Sequence, residues 1–169
     1  VIKMKRLTII LMVAGLALLG YACGSSTSND DIDPVDPIVG DWLSEGENVA
    51  IGLQNLANTE SITAAFNEDN SYVVVSVDDS GSEVTFTGTY ETGEETASGI
   101  RSIRLEQAQP VSVVSEGVFE IDGNTMTYEV IQTDPDIGAT APTVEGGFGS
   151  TVVGGEQTGT FWVQTFVRQ

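Results

Sequence analysis

From residue 83 to residue 91 the chain alternates without a break: Val84, Phe86, Gly88 and Tyr90 fall on one face, and Thr85, Thr87 and Thr89 on the other. A period of two marks a half-buried β-strand, and valine, threonine and aromatic side chains suit a pleated surface. The pattern recurs along the chain. Residues 71–77 put Val73, Val75 and Val77 on one face, and Ile62, Ala64 and Phe66 alternate just upstream. Residues 118–121 and 125–132 alternate too, with Met126, Tyr128 and Val130 facing one way. Between these runs lie turn-forming stretches (67–70, 78–82 and 122–124), each of which predicts a hairpin. Residues 38–44 open the set, and 100–107 and 160–168 complete it at eight strands. Short links favour sequential antiparallel pairing, and eight twisted strands remove their exposed edges most simply by closing. The expected fold is all-β: an antiparallel up-and-down barrel of about eight strands.

Two segments do not read as barrel strands. Residues 47–58 fit a short helix through Val49, Leu53 and Leu56, or a strand through Val49, Ile51 and Leu53, and the helix, as a lid, is the preferred reading. Residues 133–159 are rich in Gly, Pro and Thr and too long for a hairpin link; loops of that length are commonly functional or disordered.

The N-terminal stretch concerns destination rather than fold. Lys3, Lys5 and Arg6 precede an apolar run over residues 7–19 that closes on small residues and Cys23, the one cysteine. The run is shorter than the roughly 20 residues needed to span a bilayer and has the basic-apolar-small layout of a secretory signal. It resembles the precursor of a bacterial lipoprotein. That resemblance implies cleavage after residue 22, diacylation of Cys23 (palmitate-type chains) and anchoring in the cell envelope, at the periplasmic or surface side of the outer membrane. An ordinary signal peptide, leaving Cys23 as a free thiol, is the alternative. Residues 23–37 read as a lipidated cysteine followed by a flexible acidic linker, and 38–169 as the barrel domain. Within the linker, Asn29-Asp30-Asp31 resembles the acidic export signals of surface lipoproteins.

Beyond Cys23 the chain holds three cations, Arg101, Arg104 and Arg168, against all 25 carboxylates, a net charge of −22 with no lysine or histidine. Such a field repels nucleic acid and anionic lipid headgroups. In strong salt, where the Debye length falls to about 3 Å, its self-repulsion is largely screened. The composition resembles proteins of halophilic organisms; a calcium-collecting surface is the alternative. Asp30, Asp31, Asp33 and Asp36, or Asp134 and Asp136, could hold calcium weakly, but without EF-hand spacing they read as solvated acids and no metal site is expected. Without histidine, lysine or a free thiol the usual general bases and nucleophiles are missing, so an enzyme is not expected and no catalytic residue or cofactor is assigned.

Gly40-Asp41-Trp42 on the opening strand looks like the G-x-W signature of the lipocalin and fatty-acid-binding (calycin) barrels. In those families the tryptophan plugs the closed end and an arginine of the last strand packs across it; Arg168 stands where that residue would be. The resemblance implies an architectural trio of Gly40, Trp42 and Arg168. It also implies a small apolar or amphipathic ligand inside the barrel. Phe86, Tyr90 and Tyr128 are candidate lining residues, and Arg101 and Arg104 could orient an anionic group or simply pair with surface carboxylates. A non-catalytic surface lipoprotein acting through protein–protein contacts, for which residues 133–159 are the candidate surface, is the second reading.

Overall fold

The computed structural model describes residues 34–169. The signal segment, Cys23 and the linker up to residue 33 lie outside the described residues. Eight strands close into an antiparallel barrel: β1 (Gly40–Glu45), β2 (Thr59–Phe66), β3 (Ser71–Asp78), β4 (Glu83–Thr92), β5 (Arg101–Gln109), β6 (Val113–Asp122), β7 (Thr125–Asp134) and β11 (Gln164–Arg168). Each strand pairs with its neighbour in sequence, and β11 closes the ring between β7 and β1. The expected helix forms as α1 (Ile51–Ala57) between β1 and β2, with Leu53 packed on the core. Val49 lies ahead of it and Leu56 is exposed, so its apolar face is narrower than the spacing predicts, and Asn58 ends it in the left-handed conformation.

The barrel core holds Trp42, Ile62, Ala64, Phe66, Tyr72, Tyr90, Ile103, Leu105, Phe119, Met126 and Phe166. On β4 and β7 these follow the predicted faces. On β3 the inward face is Tyr72, Val74 and Ser76, whereas Val73 is among the exposed apolar residues. The β2–β3 register sets this, since it places Tyr72 opposite the buried Phe66, and strand faces invert with a shift of one residue.

Two expectations are corrected and one open question is answered. Residues 160–162, expected as strand, belong to a 3-10 turn (Gly159–Trp162) that packs against α1; a Cβ on Gly52 would come within 2.6 Å of the Trp162 ring. The folded unit begins before residue 38: Asp36, read as linker, is held by Arg101. And residues 133–159 are ordered, carrying a small sheet of β8 (Ala139–Thr140), β9 (Val152–Val153) and β10 (Glu156–Gln157). This segment is fixed to the outer face of β7 by Glu129, whose fully buried carboxylate accepts from the Gly149 N–H (2.6 Å) and the Thr151 hydroxyl (2.5 Å). A buried carboxyl costs free energy unless hydrogen-bonded, so the pairing is what makes the contact tolerable.

Candidate functional site

Strand direction gives the barrel two ends. One holds the start of β1, the β2–β3, β4–β5 and β6–β7 turns and the end of β11; the other holds α1 and the remaining connections.

At the first end Arg168 lies over the Trp42 ring, 4.1 Å from its centroid, and donates to the carbonyls of Val39 and Pro37. The indole N–H of Trp42 donates to Ile38 O at 2.8 Å. Gly40 makes room for the arginine: its φ is +135°, and a Cβ there would stand 2.6 Å from Nη1 of Arg168. A second arginine completes the plug. Arg101 sits 5.1 Å over Phe119 and is gripped by both oxygens of Asp36, at 2.8 and 2.7 Å, with further bonds to Thr92 Oγ1 and Gly93 O. The Arg101 hydrogen bonds hold the Asp36 carboxyl below its ordinary range, against the opposing effect of burial. Tyr90 belongs here too: its hydroxyl donates to Asn67 O, and its ring meets Phe66 edge-on at 5.0 Å.

The other half of the barrel encloses a cavity of about 340 Å³. Phe66, Tyr72 and Phe166 line it on the side of the plug, and Leu53 and Ala57 of α1 on the side of the mouth. Phe86, Val74, Leu105 and Val130 supply more apolar wall. Among the expected ligand contacts, Phe86 and Tyr128 are on this wall, whereas Tyr90, Arg101 and Arg104 are not. Arg101 is committed to the plug. Arg104, three residues on, points to the opposite face of β5 and pairs with Glu106 and Glu116 outside the barrel.

The sequence reading missed Tyr72 and Gln164. Gln164 is 5% exposed and lines the cavity. Tyr72 and Tyr128 line it as well. Burial pushes the Tyr72 phenol up to about 12, and it raises Tyr128 further, with the nearby Tyr72 adding to the effect. Counting back by twos from Arg168 would have put Gln164 on the inner face; no comparable signal marked Tyr72, whose phase is set by pairing.

No protein-family model, no curated protein and no solved structure matches this chain. What the geometry supports is a closed, calycin-like eight-stranded barrel, plugged at one end and hollow at the other.

Proposed function

We propose that this protein is a non-catalytic, lipid-anchored, lipocalin-like carrier or receptor of the cell envelope that takes one small apolar or amphipathic molecule into its barrel. The observation that carries this reading is the cavity: a largely apolar, half-open hollow above the lower bound of ligand pockets, about 300 Å³, with a few polar groups on its wall. Placement at the outer membrane rests on the N-terminal sequence, where a basic start, a short apolar run and Cys23 have the form of a lipoprotein signal.

Native mass spectrometry of protein purified from its source tests the carrier reading. A small molecule should travel with the barrel and be lost from Phe86→Trp, which fills the cavity. A bare chain, or a protein partner lost on deleting residues 133–159, overturns it in favour of the protein-contact reading. The anchor has its own test. The wild-type chain should stay with membranes through a high-salt wash, because two or three acyl chains bind stably and an acidic domain gains nothing from an acidic bilayer. Cys23→Ser should accumulate as uncleaved precursor or appear in the soluble fraction. Wild-type protein in the soluble fraction with no mass added at Cys23 overturns the anchor.

A further inference from the structure

The three arginines of the folded unit are all engaged elsewhere. Arg101 is held by Asp36, Arg104 by Glu106 and Glu116, and Arg168 by Trp42 and two carbonyls. The unit contains no lysine or histidine, so no cationic side chain lines the cavity. The polar residues that line it are all neutral: Gln164, Tyr72 and Tyr128, with Thr59, Ser76, Gln107 and Ser115. An amide offers two donors and an acceptor, and a phenol one of each. A ligand oxygen that meets one of these side chains keeps a hydrogen bond it would otherwise lose on leaving water.

We infer that the barrel selects an uncharged amphipathic ligand, an alcohol, ketone or ester whose oxygen meets Gln164, Tyr72 or Tyr128, and rejects carboxylates of the same chain length. The inference rests on the carrier reading and narrows it. A carboxylate drawn into this site would lose its water and gain no counter-ion, a burial that is strongly unfavourable. The raised phenols of Tyr72 and Tyr128 report the same aversion to negative charge. The apolar tail needs no such matching, since phenylalanine, leucine and valine walls accept any chain that fits.

Competition for a neutral fluorescent probe, 1-aminoanthracene, tests this on the full chain carrying Cys23→Ser. Decanol, methyl decanoate and decanoate are compared as competitors. The expected result is probe binding, with displacement by the alcohol and the ester at concentrations at least tenfold lower than by decanoate. The preference should persist in 1 M sodium chloride, where the acidic surface is screened but a buried site is screened much less. Gln164→Leu should weaken decanol about three- to tenfold, the worth of one neutral hydrogen bond, and Gln164→Lys should shift preference toward decanoate. Decanoate binding as well as decanol, or a preference that vanishes in high salt, overturns the inference while leaving the carrier reading intact. Failure of the probe and of all three competitors to bind overturns the carrier reading itself.

Discussion

The two halves of the barrel share the same strands and differ in how their polar groups are treated. At the plugged end each conspicuous polar side chain has a partner: Arg168 with Trp42 and two carbonyls, Arg101 with Asp36 and Thr92, Tyr90 with Asn67. In the hollow half the buried Ser44 hydroxyl and Trp162 indole N–H have none among the described residues, and Gln164, Tyr72 and Tyr128 face the cavity. Paired polar groups hold a structure together, whereas polar side chains that line a cavity are open to a ligand. The plug is therefore where stability should concentrate and the hollow where binding should.

Trp42→Ala should break that contrast most severely. It removes the largest fully buried side chain and the ring beneath Arg168, and a loss of about 3–5 kcal/mol is expected from urea unfolding. Gly40→Ala comes next. The new methyl forces Arg168 off its site and the backbone into a conformation alanine disfavours, for a loss of about 1–3 kcal/mol by the same measurement.

Asp36→Asn removes the carboxylate that clamps Arg101, and at neutral pH about 1 kcal/mol should be lost, a modest figure because the pair is partly exposed. Its pH dependence has a definite sign. The folded-state pKa of Asp36 lies below its ordinary 3.8, so its contribution is fully present above that value and is lost as pH falls through the depressed one. The gap between wild type and variant in urea midpoint should be constant from pH 7 down to about 4.5 and narrow below pH 4. A gap that widens in acid would mean that Asp36 is not stabilised as a carboxylate.

The smallest expected effect on stability sharpens the comparison. Gln164→Leu replaces an amide on the cavity wall with an apolar group of similar size, and its midpoint should match wild type within about 0.5 kcal/mol, even though ligand affinity falls. A large destabilisation would show that the hollow half, like the plug, is held by its polar groups.

Most strands were legible because alternation records which residues meet water, and a strand's inner face must be apolar wherever it lies. The Gly40–Trp42 signature and Arg168 were likewise readable from residue type and position. The opposite faces of Arg101 and Arg104 were also within reach, since an odd spacing on a strand cannot put both inside. Other features depended on distant partners. Asp36 looked like one linker acid among several, because the guanidinium that fixes it comes 65 residues later. Valines at 73, 75 and 77 form as apolar a stripe as the face that became the interior, and only pairing with β2 decided between them. Residues 160–162 had strand-like composition, and docking on Gly52 of α1 turned them into a tight helical turn.

The sequence by itself determined that this chain is built of short antiparallel strands around one core and that it is strongly acidic, because both properties are carried by neighbouring residues or by composition. Tertiary structure alone decided that the three arginines are committed and that the cavity is left with neutral polar groups. Whether a charge is paired and whether a hydroxyl is satisfied depends on what closure of the barrel brings within hydrogen-bonding distance.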